Sequence, residues 1–123
     1  MTEAARLELS LVTLLATVDT PTVCNAIEVA QGRRGFDRFT RSTVLASDPS
    51  AKPLFGFART ARIRGRNPPA ENPEAVRERR MTYYLYMANS PRPAVAVIED
   101  LDWPEAVGEF WGEVNTTVHK GLG

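Results

Sequence analysis

The sequence predicts a mixed α/β fold. Apolar residues recur at helical spacing in several stretches, two others read as strands, and Pro, Asn and Gly sit where those stretches begin or end. Leu7, Leu11, Leu14 and Leu15, with Val18 beyond, predict a first helix over about Glu3 to Ala16. Thr20-Pro21 starts a second, because the N–H that proline lacks would have no partner at the first helical position. Val23, Ala26, Ile27 and Ala30 give that helix one apolar stripe, and Gly32 supplies a stop. Residues 33–53 are polar and irregular, with weak strand character around Arg41–Leu45.

Leu54 to Ile63 alternates well enough for a strand, with Phe55, Phe57, Ala61 and Ile63 on one face and Arg59 interrupting it. Pro68, Pro69 and Pro73 then enforce a loop. Asn72 caps a helix that Pro73 opens and that runs to about Ala88, burying Val76, the stem of Arg80, Tyr83 or Tyr84, and Met87. After Pro93, the run Ala94 to Ile98 reads as a strand covered on both faces, with Glu99-Asp100-Leu101-Asp102 at its C-terminal end. Gly112 to Lys120 reads as a last helix, ended by Gly121 and Gly123.

A chain of 123 residues suits one domain. Cys24 is the only cysteine and His119 the only histidine, so an internal disulfide is impossible and a Cys/His zinc site is not expected. No apolar run approaches the roughly 18 residues of a membrane span, and the N-terminus lacks a signal-peptide pattern. The expected compartment is the cytoplasm, with no membrane partner. Net charge is zero, yet residues 33–80 hold twelve of the fifteen basic residues against five acidic ones. That asymmetry can mark a surface for anions or nucleic acid. A basic middle paired with acidic flanks, inside the fold or across an oligomer, is the simpler reading, and nucleic acid is not the expected partner.

The stretch Asp19-Thr20-Pro21-Thr22-Val23-Cys24-Asn25-Ala26-Ile27-Glu28 resembles the opening helix of one branch of the RraA-like family, which holds the regulator of ribonuclease activity A and the 4-hydroxy-4-methyl-2-oxoglutarate aldolases. Four further pieces follow in the family's order: Phe55 to Ala61, Pro93 to Ile98, Glu99 to Asp102, and Phe110 to Asn115. The resemblance implies a swivelling β/β/α-type fold assembled as a homo-oligomer, a trimer or hexamer. It also implies a class II lyase, an aldolase or decarboxylase acting on a small pyruvate-derived oxo acid with Mg2+ or Mn2+. Such a metal polarises the 2-oxo group, so that the carbanion left by C–C cleavage becomes a stabilised enolate. Other members are regulators that dock on ribonuclease and helicase assemblies without chemistry of their own.

Two departures stand out. The aldolase branch commonly carries Gly-Asp-Asn after its central strand, where this chain has Arg64-Gly65-Arg66-Asn67-Pro68-Pro69. The family's Gly-Glu helix leads through a Gly-x-x-Gly link into a strand and an Arg-Asp pair that holds metal and substrate, whereas this sequence finishes at Gly121-Leu122-Gly123. The resemblance therefore implies that residues 1–123 are a single incomplete domain, truncated before its metal ligands and inactive as it stands.

The site residues it implies are Gly112, the backbone of Val114 and Asn115, and the side chain of Glu113. Free amides at a helix start, aided by the helix dipole, form a carboxylate cradle, and Glu113 would handle water or a proton. Asp100 and Asp102 follow a strand end, where they would orient a metal-bound water or an arginine, or else bond local backbone as turn formers. Elsewhere the structural reading is the stronger. Asn25 is expected to make a buried hydrogen bond, Cys24 to fill core or interface, and Tyr83, Tyr84 and Tyr86 to pack in core and interface. Arg62, Arg64 and Arg66 would form a solvated face or subunit contact before an anion grip, and His119 is assigned no chemistry.

Overall fold

The structure, a computed structural model, describes residues 7–41 and 43–122. Its elements are α1 (Leu9–Leu15), α2 (Thr20–Gln31), β1 (Phe57–Ile63), α3 (Pro73–Ala88), β2 (Ala94–Asp100) and α4 (Glu113–Leu122), which makes the fold mixed α/β as predicted. Residues 7–55 form one unit and 56–122 another.

In the first unit, α1 is shorter than the leucine spacing suggests. Glu8 occupies the N-cap and makes no side-chain cap bond, so the helix starts only at Leu9; residues 3–6 of the expected helix lie outside the described residues. Helix α2 begins at Thr20 with Pro21 in its first turn, and Asp19 caps it by accepting from the Thr22 amide at 2.9 Å. Gly32 ends it at φ 63°, a left-handed conformation that costs glycine little. The Glu28 carboxylate then reaches forward to accept from the amides of Gly35 (2.7 Å) and Phe36 (3.0 Å), with Arg34 at 3.4 Å. The Phe36 and Gly35 amides and Arg34 hold its acidity above that of a free glutamate. No strand forms at Arg41–Leu45: Arg41 lies in a bend and residues 43–45 are irregular, Ser42 being outside the described residues. A strand needs a partner ladder, and the sheet among the described residues has two strands, both in the other unit. Asn25 is exposed rather than buried.

In the second unit, β1 and β2 pair in parallel from Phe57 opposite Ala94 to Ile63 opposite Asp100. Parallel neighbours need a crossover, and α3 supplies it. Asn72 caps α3 by accepting from the Ala75 amide at 2.9 Å, with Pro73 opening the helix as predicted. Strand β1 starts at Phe57, three residues later than expected, because Gly56 passes close to the Pro93–Ala94 backbone: a Cβ at Gly56 would lie 2.7 Å from the Pro93 oxygen. That same oxygen accepts from the Phe57 amide at 2.9 Å, the first rung of the ladder.

Alternation along β1 puts Phe57, Arg59, Ala61 and Ile63 on its half-buried face, so Arg59 belongs to that face instead of breaking it. Its guanidinium stands 4.6 Å from the centre of the Tyr86 ring, and its Nη2 donates to the Asn89 carbonyl at 3.2 Å. The outward Thr60 amide donates to the Tyr86 hydroxyl at 3.2 Å, which covers that rung of the free edge. Strand β2 is not covered on both faces: Val97 is 45% exposed and Glu99 is exposed, because both helices of this unit that reach the sheet lie over the side carrying Ala94 and Ala96. Met87 on α3 is the one buried hydrophobic residue among those described, at 5% exposure. Val76, Tyr83 and Tyr84 are half-buried, whereas Arg80 is exposed. Helix α4 runs through Gly121 to Leu122, past the expected stop.

Candidate functional site

The predicted cradle sits where α4 begins. Gly112 precedes the helix, and its carbonyl accepts the Thr116 amide at 3.0 Å. The amides of Glu113, Val114 and Asn115 fall in the first turn, where an α-helix has no internal acceptor for them, and none of the three meets an acceptor among the described residues. A Cβ at Gly112 would touch nothing within 4 Å, so there is open space beside that residue. Glu113 is exposed, and no hydrogen bond or ion pair among the described residues holds its carboxylate.

Asn115 fixes this helix start from below. Its Nδ2 donates to the Phe110 carbonyl at 2.7 Å, and its Oδ1 accepts from the Tyr84 hydroxyl at 2.8 Å, tying the loop and α3 to the first turn. One turn on, His119 Nδ1 lies 2.6 Å from the Asn115 carbonyl and its Nε2 lies 2.6 Å from the Tyr83 hydroxyl. A carbonyl only accepts, so Nδ1 donates to it, and in that tautomer Nε2 accepts a hydrogen bond from the Tyr83 hydroxyl. Trp111 (5.0 Å between ring centres), Tyr83 (5.7 Å) and Phe110 (6.0 Å) surround the imidazole. Burial, reinforced by the nearby Tyr84 and Tyr86 phenols, pushes the Tyr83 hydroxyl up to about 12. His119, given no role from the sequence, is thus the hub that seats α4 on α3. The signal was available in its spacing, since Asn115 and His119 are one helical turn apart.

Asp100 and Asp102 act as turn formers, and Asp102 also faces an arginine. Asp100 Oδ1 accepts from the Asp102 amide at 2.9 Å. The Asp102 side chain, 7% exposed, accepts at Oδ2 from the amides of Gly65 (2.6 Å) and Arg66 (2.9 Å) and has Arg64 at 4.0 Å. Those amides, Arg66's first, hold its carboxyl below the usual aspartate range. Here Gly65 is needed for space: a Cβ on it would lie 2.8 Å from Gly108 Cα. The arginine row is answered residue by residue, Arg62 by Glu99 at 3.8 Å, Arg64 by Asp102, and Arg66 by Glu105. Around this clamp is an open pocket of about 450 Å³, lined by Arg64, Arg66, Asn67 and residues 101–105. No hydrogen bond or ion pair among the described residues joins Gly112–Asn115 to Asp100 or Asp102.

No family model, curated protein or solved structure matches this chain.

A divalent cation of the magnesium type wants about six oxygen ligands, carboxylates foremost. Among the described residues no group of three or more His, Cys, Asp or Glu side chains is placed to hold a metal, and both oxygens of Asp102 face amides or Arg64. The residues present do not fit such an ion. Among the described residues no helix is long and apolar enough to cross a membrane. Sequence reasoning also passed over Arg92. It donates from Nε to the Leu122 carbonyl at 2.7 Å and from Nη1 to the Ser90 carbonyl at 2.9 Å, joining the ends of α3 and α4.

Proposed function

We propose that these residues carry the substrate-carboxylate cradle of an RraA-like, metal-dependent lyase acting on pyruvate-derived oxo acids, within a swivelling β/β/α-type architecture. One observation supports this reading above the others: three first-turn amides of α4 without acceptors among the described residues, next to a glycine with open space beside it. A carboxylate docked there would satisfy those donors and meet the positive end of the helix dipole. A Mg2+ or Mn2+ ion, which the residues described here do not hold, would supply the polarisation of the 2-oxo group. In this chain Gly112 gives access, the backbone of Val114 and Asn115 binds, and exposed Glu113 is free to exchange a proton with water at its carboxylate. Asp100 and Asp102 shape the loop after β2 and stay outside the chemistry.

The test is release of pyruvate from oxaloacetate. A form that continues past Gly123 into Gly-x-x-Arg-Asp should release it in a magnesium-dependent way, and the 123-residue chain should not exceed the buffer rate. A continued form carrying that motif but with no magnesium-dependent activity would end the lyase reading.

The non-enzymatic regulator reading has one observation in its favour. Trp103 (79% exposed), Val107 (69%) and Val97 (45%) leave apolar surface on and just after β2, of the kind that partners or further subunits cover. Capture of ribonuclease or helicase components by a chain without lyase activity would decide for it.

A further inference from the structure

Both parallel strands end at the same place. Strand β1 finishes at Ile63 and β2 at Asp100, and the residues that follow them line the open pocket of about 450 Å³. Ligands of parallel sheets gather outside the carboxyl ends of the strands, and this volume falls within the roughly 300–1,000 Å³ of small-molecule sites. The pocket has a fixed wall, since the Asp102 carboxylate, 7% exposed, pins the Gly65 and Arg66 amides. Around that wall the donors are largely uncommitted. Arg64, more than half exposed, makes no side-chain hydrogen bond among the described residues and stands 4.0 Å from Asp102. The Arg66 guanidinium gives only Nη1, to exposed Glu105. A surface pair of that kind is worth little and yields to a better acceptor. The Asn67 side-chain amide has no partner among the described residues, and no ring or guanidinium among them stacks on Trp103, 79% exposed.

We propose that this pocket binds an adenine nucleotide, its phosphate held by Arg64 and Arg66 and its base stacked on the Trp103 indole. The planar fork of an arginine matches two phosphate oxygens at once. An exposed aromatic ring beside such donors is the pairing that single nucleotides are held by, because every base offers a flat face. Asn67 adds a choice among bases: its amide presents one donor and one acceptor, the combination that answers the N6 and N7 edge of adenine. Glu105 shares the rim and opposes a run of phosphates, so the ligand is a free nucleotide and not a strand. The pocket follows the two strands, whereas the cradle of the proposed function lies at the start of α4, and the inference stands without that reading.

Titration of AMP into the 15N-labelled 123-residue protein at constant ionic strength tests the proposal, followed at the Trp103 indole N–H and the backbone amides of residues 64–67. These signals should move together in one saturable transition. Adenosine and inorganic phosphate each offer half of the ligand and should bind roughly tenfold or more weakly. Trp103→Ala and Arg64→Ala should each lower the AMP affinity roughly tenfold or more, the loss of a stacked base and of a charged hydrogen-bonded contact. Both side chains are exposed, and an unmoved Phe57 amide reports an intact sheet in each variant. Glu105→Gln releases Arg66 and should tighten binding. Gly112→Val should leave the AMP affinity unchanged, which separates this site from the cradle. No saturable transition in the wild type, undiminished affinity in Trp103→Ala or Arg64→Ala, or weaker binding in Glu105→Gln would overturn the proposal. Inorganic phosphate or O-phosphotyrosine binding as well as AMP would overturn the assignment of the base, and a riboadenylate hexamer binding more tightly than AMP would overturn that of a free nucleotide.

Discussion

The Tyr83 hydroxyl donates to Nε2 of His119 across 2.6 Å, and that contact is where α4 is seated on α3. Because the Asn115 carbonyl fixes the tautomer of the imidazole from its other side, the orientation of the first turn of α4 is tied to a phenol one helix away. Replacing Tyr83 by Phe keeps the ring against Phe110 but leaves Nε2 without a donor. The expected loss is about 1 kcal/mol, read as a lower urea midpoint with an unchanged slope.

Tyr83 also predicts a pH dependence. Its folded hydroxyl titrates at about 12, against 10.0 for an ordinary tyrosine. Between those values the unfolded chain gives up a proton that the folded one keeps. Stability is therefore whole below about pH 10 and declines as pH rises toward 12. Alkaline unfolding followed by tyrosinate absorbance should show one late-titrating phenol, and Tyr83→Phe should remove that phase.

Asp102 organises the turn after β1 through two amides, so Asp102→Ala should release it. The amides of Gly65 and Arg66 should exchange with solvent faster in the variant, while the Phe57 amide at the far end of the ladder is unchanged. The carboxyl is held below its unfolded value of 3.8, so its contribution is present above that pH and disappears as acid protonates it. Hydrogen exchange at two pH values checks both statements.

Gly56→Ala should destabilise the chain by about 1–3 kcal/mol, the usual cost of forcing atoms into a filled space. Its Cβ would meet the Pro93 oxygen, a backbone atom that cannot swing aside without giving up the Phe57 rung. Thermal unfolding measures it, and Gly112→Ala, with open space around it, serves as the comparison.

The parts of the fold that were legible in the sequence are those dictated by local chemistry. Asn72-Pro73 opens α3 where the cap rule puts it, and Gly32 ends α2 because few other residues accept that backbone. Local chemistry does not reach the places where a distant contact decides. Arg59 reads as an interruption of an apolar face until Tyr86, on the far side of the crossover, offers its ring. The late start of β1 depends on the close pass of Gly56 and Pro93, and the irregular course of residues 43–45 on the lack of a neighbour to pair with. For the site, the proposed cradle at Gly112–Asn115 rests on a helix start visible in the sequence. The roles of Asp102, His119 and Arg92 depend on tertiary partners 30 or more residues away, which periodicity does not encode.

The account turns on whether a 2-oxo acid's carboxylate settles on the first turn of α4. Titrating pyruvate into the 15N-labelled protein and following backbone amides measures that directly. The expected result is a saturable displacement concentrated at Glu113, Val114 and Asn115 and abolished by Gly112→Val. If those three amides move no more than the rest of the chain at saturating pyruvate, the cradle is not a binding site and the account is wrong.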